Sequence, residues 1–251
     1  MSGHSKWSTI KRKKGAEDAK RGQLFTKLSK EISSAARQGG GDPEANFRLR
    51  LAMDKAKQAN MPKDNIERAV KRGTGESKGG EFERLAYEGY GPQGSAILME
   101  VLTDNRNRAV ADIRREFRKH GGNLGESGCV AWMFQQKGLL VMEVSGDPEE
   151  SALAALDLGA EDVDIEGTQV DVYTTPEDFE RVREGLKAGG DELVSAELTM
   201  IPSTYLQLDP KGVIQTMRLA DALEELDDVQ QVYTNVDISD EVIAEYESEA
   251  V

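Results

Sequence analysis

The sequence predicts an α+β protein of several domains: an N-terminal three-helix domain followed by two ferredoxin-like α/β sandwich domains, one inserted in the other. Three observations lead there. Apolar residues recur at helical spacing as far as residue 73, a glycine-rich stretch follows from Gly73 to Gly80, and alternating strand and helix patterns begin beyond it. A chain of 251 residues also exceeds the usual size of one compact domain.

Residues 1–22 read as a basic arm, with Trp7 and Ile10 as its only large apolar side chains, too few to form a core. From Gln23 the spacing of Leu24, Leu28, Ile32 and Ala35 predicts a helix. The Gly39-Gly40-Gly41-Asp42-Pro43 stretch stops it and opens a second helix over about 44–59, with Asp42 as N-cap and Phe47, Leu51 and Ala52 inward. Pro62 opens a third, with Ile66, Ala69 and Val70 inward and Gly73 as its stop. Strands are expected near 84–89, 95–103 and 128–135, with a helix at 106–119 facing them through Val110, Ile113 and Phe117. Residues 138–200 then read β-α-β-β-α-β, the order of a ferredoxin-like sandwich, with Leu153, Leu156 and Leu158 stacked in its first helix. A helix at 212–226 and a strand at 229–236 bury too little by themselves, so they are expected to complete the sheet begun by 84–135. The predicted domains are 1–78, 79–136 plus 202–238, 137–201 as an insertion, and an acidic tail at 239–251.

Charge is partitioned along the chain. Residues 1–78 hold 19 Lys and Arg against 9 Asp and Glu, residues 79–137 hold 8 of each, and residues 138–251 hold 5 against 29. The net charge of −14 therefore hides a basic end. Screening over about 8 Å at physiological salt makes local charge the relevant quantity, so the first third is read as a nucleic-acid partner. The residues expected to meet phosphate or bases are Lys6, Trp7, Lys11, Arg12, Lys13, Lys14, Lys20, Arg21, Lys27, Lys30, Lys63, Arg68, Lys71, Arg72, Arg106 and Arg108. Flexible lysines follow a phosphate backbone with counterion release, and Trp7 offers a face on which an unpaired base can stack. The break at Asn60-Met61-Pro62 admits a helix-turn-helix reading with Lys63, Asn65, Arg68 and Arg72 on the second helix.

Enzymatic signatures are missing from the sequence. Gly89-Tyr90-Gly91-Pro92-Gln93-Gly94 matches G-x-G-x-x-G, but a strand follows it where a phosphate-binding helix is required, so it reads as a turn between strands. One cysteine and two histidines far apart offer no metal-ligand spacing, and no nucleophile–base motif occurs. Cys129, in an apolar run, reads as a buried structural thiol. The acid pairs Glu224-Glu225 and Asp227-Asp228 read as solvated faces. The expectation is a non-enzymatic protein without cofactor or metal. No apolar run reaches the ~18 residues of a membrane span, and no secretory signal core is present, so a cytoplasmic protein without a membrane partner is expected.

Five ordered motifs, Met1-Ser2-Gly3-His4-Ser5-Lys6-Trp7-Ser8, Pro62-Lys63-Asp64-Asn65-Ile66-Glu67-Arg68-Ala69, Tyr87-Glu88-Gly89-Tyr90-Gly91-Pro92, Leu102-Thr103-Asp104-Asn105-Arg106-Asn107-Arg108 and Val232-Tyr233-Thr234-Asn235-Val236, span the chain. Together they resemble the YebC/PmpR family. The resemblance implies three domains and a probable DNA-binding transcriptional regulator. It also implies an alternative, since members including a mitochondrial relative are described as translational activators acting with the ribosome; rRNA, tRNA and ribosomal proteins would then be the partners. It brings no catalytic residue or cofactor.

Overall fold

The computed structural model describes residues 18–76, 81–190 and 192–249. It divides into two compact units, one over Trp132–Tyr205 and the other holding the described residues up to Ala131 together with those from Leu206.

The second unit starts with three helices: α1 (Asp18–Gly39), α2 (Phe47–Gln58) and α3 (Lys63–Gly73). Leu28, Ile32, Ala35 and Ala36 of α1 bury against Leu49, Ala52 and Ala56 of α2 and Ile66 and Ala69 of α3. Helix α2 begins later than the sequence suggests, because Asn46 rather than Asp42 is its N-cap. The Asn46 Oδ1 accepts from the Leu49 amide at 3.1 Å while its Nδ2 donates to the carbonyls of Ala35 and Gly40, which locks the α1–α2 corner. Asp42 instead closes a short turn by accepting from the Glu44 amide. Leu49 is buried, whereas Phe47 and Leu51 are only half-buried. Gly73 is not the stop either. It is the last residue of α3 and is buried; the positive φ falls at Gly75. A Cβ at Gly73 would collide with the Ser33 carbonyl oxygen and sit 2.7 Å from the Ala36 Cβ, so the glycine permits close approach of α3 to α1.

The same unit continues with β1 (Glu83–Tyr90), β2 (Ala96–Thr103), α4 (Arg106–Lys119) and β3 (Asn123–Leu124). Its antiparallel sheet has the order β3-β1-β2-β8, where β8 (Val229–Thr234) follows α7 (Pro210–Glu224). The Gly89–Gly94 stretch is a turn between β1 and β2, with the Gly91 amide donating to the Ser95 carbonyl at 2.8 Å. Helix α4 buries Ala109, Ile113 and Phe117, and α7 buries Val213, Met217, Leu219, Ala220 and Leu223 in one core with Ile97, Met99 and Val101. Val110 is only half-buried. The acidic tail is also structured: α8 (Asp240–Glu249) adds Val242 and Tyr246 to this core, and the Tyr246 hydroxyl donates to Asp221 at 2.5 Å. Burial, followed by that carboxylate, pushes the Tyr246 phenol well above its ordinary value.

Of the expected strand at 128–135 only Phe134 and Gln135 are strand; residues 128–133 are a loop and a short 3-10 turn. Glu88 is buried and accepts the amides of Gly128, Val130 and Ala131 at 2.6, 2.8 and 2.6 Å, so these amides cannot join a ladder. Burial alone would raise the Glu88 carboxyl, and the three amides outweigh it and hold it below the ordinary value. Cys129 in this loop is half-buried, its thiol pushed up first by burial and then by the charge of Glu88.

The first unit is β4 (Phe134–Glu143), α5 (Pro148–Asp157), β5 (Asp162–Glu166), β6 (Gln169–Thr174), α6 (Phe179–Gly189) and β7 (Glu192–Pro202). Its sheet order, β5-β6-β4-β7 with every neighbour antiparallel, is that of a ferredoxin-like sandwich. Gly167 supplies the positive φ of the β5–β6 hairpin. Helix α5 buries Ala152 and Ala155, whereas Leu153 is 64% exposed and Leu156 also faces water. The expected leucine stack is thus replaced by alanines, which let the helix lie close to the sheet.

Gly73→Ala should lower the urea midpoint, with a cost of about 1–3 kcal/mol from overpacking. Gly22→Ala in α1, where a new Cβ meets nothing within 4 Å, should be neutral or stabilising by up to about 1 kcal/mol. Equal effects at the two sites would refute the close-approach role of Gly73.

Candidate nucleic-acid interface

The predicted cations divide into two groups in the structure. Lys27, Lys30 and Arg108 turn toward the protein. Helix α7 ends at Glu224 with carbonyls that no amide of its own can satisfy, and three side chains of α1 meet this end and the loop that follows it. Lys27 donates to the Glu224 carbonyl, Gln23 to that of Glu225 at 3.1 Å, and Lys30 to that of Asp227 at 2.9 Å. Cations at a helix C-terminus are also favoured by its dipole. The Lys30 ammonium continues to Asp228 Oδ1 at 2.8 Å and lies 5.9 Å from the Phe82 ring centroid.

Asp228 sits at the centre of this contact, only 6% exposed. Its second oxygen accepts from Arg108 Nε at 3.2 Å and from a terminal nitrogen of the same guanidinium at 2.8 Å. Arg108 is held by Asp104 as well, at 2.8 Å, and both carboxylates raise its guanidinium above the ordinary value, Asp228 more than Asp104. Burial works to raise the Asp228 carboxyl, yet hydrogen bonds from Lys30 and Arg108, the charge of Lys30 and a bond from Thr103 together hold it below the ordinary value. Asp227 is exposed as expected, but Asp228 does not belong to a solvated face. A cleft of about 520 Å³ opens beside it, lined by Gln23, Thr26, Asp112, Ile113 and Leu226 among others.

Four cations at the far end of the helical region and the start of α4 remain outward. Arg68, Lys71 and Arg106 are exposed, Arg72 is half-exposed, and none pairs with another described residue. Arg21 is exposed too. Lys63 is exposed and lies 3.6 Å from Glu67. On α4, Arg114 and Arg118 point to solvent, whereas Arg115 pairs with Asp112 and Glu116. Lys6, Trp7, Lys11, Arg12, Lys13 and Lys14 lie outside the described residues, as does the side chain of Lys20.

Asn105 positions the start of α4: its Oδ1 accepts from the Arg108 amide at 3.1 Å, and its own amide donates to Thr103 Oγ1 at 3.0 Å. This explains the Thr-Asp-Asn-Arg-Asn-Arg segment in physical terms. Thr103 and Asn105 order the helix start, Asp104 and Asp228 both hold Arg108, and Arg106 is left facing water. Sequence reading missed Asp228, because no local pattern separates a buried aspartate from a solvated one. Among the described residues no group of three or more His, Cys, Asp or Glu side chains is arranged to hold a metal ion, and no helix is long and apolar enough to cross a membrane.

Comparison with known proteins covers nearly all of these residues. The family model described as the TACO1/YebC protein N-terminal domain matches residues 5–76, and that described as the TACO1/YebC second and third domain matches residues 82–236. A protein of Trichlorobacter lovleyi is 58% identical over 239 residues, covering 95% of this chain and 97% of the relative. One of Rubrobacter xylanophilus is 58% identical over 247 residues, covering 98% and 99%. Both are named "Probable transcriptional regulatory protein". The crystal structure of a conserved hypothetical protein from Aquifex aeolicus is similar with a TM-score of 0.81 at 46% identity, over 89% of this chain and 93% of that one.

Asp228→Ala strands Lys30 and Arg108 and should destabilise this unit by about 2–4 kcal/mol, read from urea unfolding. Because folding depresses the carboxyl of Asp228, its contribution is complete above the ordinary aspartate range. It is lost as pH falls through the depressed folded value. The stability difference between the native chain and Asp228→Asn should therefore shrink on acidification below the ordinary aspartate value. A difference that persists unchanged in strong acid would rule out the charged pairing.

Proposed function

We propose, from the premise that this chain belongs to the TACO1/YebC family, that it is a non-enzymatic, nucleic-acid-binding regulator of gene expression acting in the cytoplasm. The observation that carries the reading is the sorting of positive charge. Of the cations in and beside the helical region, those near α7 are consumed by Asp228 and the helix end, while Arg68, Lys71, Arg72 and Arg106 face outward. With the basic segment that precedes α1 they supply the phosphate contacts on which non-specific affinity rests. Duplex DNA is the leading partner, in line with the names of the relatives, and the family's regulation would then act on transcription.

One feature favours a second reading. The outward face of α3 also carries Asp64 and Glu67, with Lys63 drawn to Glu67. Carboxylates there repel phosphate and weaken α3 as a major-groove reading helix. Backbone tracking along folded RNA demands no such helix, so the alternative is a translation factor contacting rRNA or tRNA, with ribosomal proteins as further partners.

Sedimentation of a lysate through sucrose, with and without nuclease treatment that removes ribosomes, separates the readings. Salt-sensitive co-migration with ribosomes supports the translational role; binding confined to promoter DNA supports the transcriptional one. Alanine at Lys11, Arg12, Lys13 and Lys14 should lower the slope of log affinity against log salt by about 0.7–0.9 for each phosphate no longer neutralised. An unchanged slope would remove the basic segment from the interface. Alanine at Lys30 should leave the slope unaltered, since its ammonium is already bound within the protein.

A further inference from the structure

The outer edge of β5 in the ferredoxin-like unit is open, and an apolar stripe of α5 runs beside it. Helix α5 lies over β5 and β6, and α6 over β4 and β7, so the side of α5 away from α6 looks out past the β5 edge. Leu158, which ends α5, meets α6 at Gly185, where an added Cβ would come within 2.5 Å of it. Glu149, Leu153 and Leu156 form a stripe on the opposite side of the helix. Leu153 is 64% exposed and Leu156 41%. A Cβ at Gly138 would strike the Phe179 ring of α6, which puts Gly138, Leu140 and Met142 on the helix side of the sheet. Val172 and Val170 stand opposite Leu140 and Met142, and Val163 and Ile165 opposite those, so the two β5 residues share that side. Ile165, 40% exposed, therefore adjoins the same open flank as the two leucines. The backbone of the edge is open as well. The β5–β6 hairpin turns over Gly167 and Thr168, which makes Glu166 and Gln169 its first hydrogen-bonded pair. By alternation, the amides and carbonyls of Ile165 and Val163 point away from β6. The Asp162 side chain accepts from the Val163 amide at 3.0 Å, and among the described residues no strand lies beyond. Residues 132–205 hold 17 Asp and Glu against four Lys and Arg, and each of those four bases, Lys137, Arg181, Arg183 and Lys187, already pairs with an acid of the unit. Glu149 on the stripe and Asp162 and Glu166 at the two ends of β5 are exposed.

We propose that this edge takes up an extended segment of another protein, one that alternates apolar and basic residues, as a further antiparallel strand. The surface lies outside the helical region and does not depend on the nucleic-acid reading. Main-chain hydrogen bonds to Val163 and Ile165 supply the attachment, and the flanking side chains supply the selection. A residue directly opposite Val163 or Ile165 shares its face, so its side chain joins Ile165, Leu153 and Leu156 and is apolar. The residues in between project to the other face, beside Asp162 and Glu166, where Lys or Arg is favoured. The same carboxylates repel a nucleic acid. A second copy of this chain is a poor occupant. Antiparallel pairing of two β5 edges, Val163 opposite Ile165, sets each Asp164 against its own counterpart, like charge against like charge.

The probe is a fluorescein-labelled peptide, Lys-Ile-Lys-Val-Lys-Ile-Lys, titrated with the full-length protein in about 0.15 M KCl and read by anisotropy. Binding should be measurable below about 1 mM, and Leu153→Ala combined with Leu156→Ala should weaken it about tenfold. Glu149→Gln, Asp162→Asn and Glu166→Gln together should weaken it severalfold and flatten its salt dependence. Ile165→Pro removes an outward amide, a change that an edge strand tolerates, and should abolish binding. The decisive comparison leaves the protein unaltered. An N-methyl group on the central Val of the probe, whose amide faces β5, should abolish binding. The same group on a neighbouring Lys, whose amide faces water, should leave it within about twofold. Equal effects of the two methyl groups would overturn strand addition. Heptalysine binding as tightly as the probe, or an unchanged affinity in the double leucine variant, would reduce the contact to net charge and overturn the proposal. So would the lack of any binding up to about 1 mM by protein whose circular dichroism shows the native fold. Dimers seen in sedimentation velocity and lost in Ile165→Pro would put a second copy at the edge and overturn the proposed occupant.

Discussion

The helical region is joined to its sheet by the carboxylate of Asp228. A buried aspartate is costly unless both oxygens are satisfied, and here the requirement is met by residues far apart in sequence. Lys30 comes from α1, Arg108 from α4, and Thr103 from the end of β2. Each of those elements must be in place for the charge to be tolerated. The same contact closes the C-terminus of α7, where Gln23 and Lys27 take up its last carbonyls. One loop between α7 and β8 thus sets the position of the first helix.

This constraint divides the basic residues by role. A lysine whose ammonium already holds two protein oxygens contributes little to a phosphate contact, since binding would first break both bonds. Arg68, Lys71, Arg72 and Arg106 have no such prior engagement among the described residues. Net positive charge in the first 78 residues therefore overstates the charge available to a partner. The outward cations cluster on α3 and at the start of α4, in the same chain segments as the Pro-Lys-Asp-Asn-Ile-Glu-Arg and Thr-Asp-Asn-Arg-Asn-Arg motifs. Glu88 shows the same logic without a cation: three loop amides satisfy a buried carboxylate, and the price is the strand that those residues would otherwise form.

Much of the fold was legible because helical and alternating periodicities depend on near neighbours. The β-α-β-β-α-β pattern of 138–200, the helix at 106–119 with Ile113 and Phe117 inward, and the turn at Gly89–Gly94 all follow from local spacing. Errors arose where a distant group took over a local one. Asn46 rather than Asp42 caps α2 because its amide also reaches Ala35 and Gly40. Residues 128–133 leave the strand register because Glu88, about forty positions earlier, captures their amides. Gly73 reads as a helix stop by composition, yet it is a point of contact with Ser33 and Ala36.

By itself the sequence determined the class of architecture, the segregation of charge and the family resemblance, because these are properties of composition and of short-range pattern. Only the tertiary structure decided which cations stay in water and which neutralise a buried aspartate. It also decided that Leu153 and Leu156 of α5 stay exposed on the flank of the open β5 edge, together with Ile165. Ion pairing and burial depend on the distance between side chains brought together from remote positions. No local spacing encodes that distance.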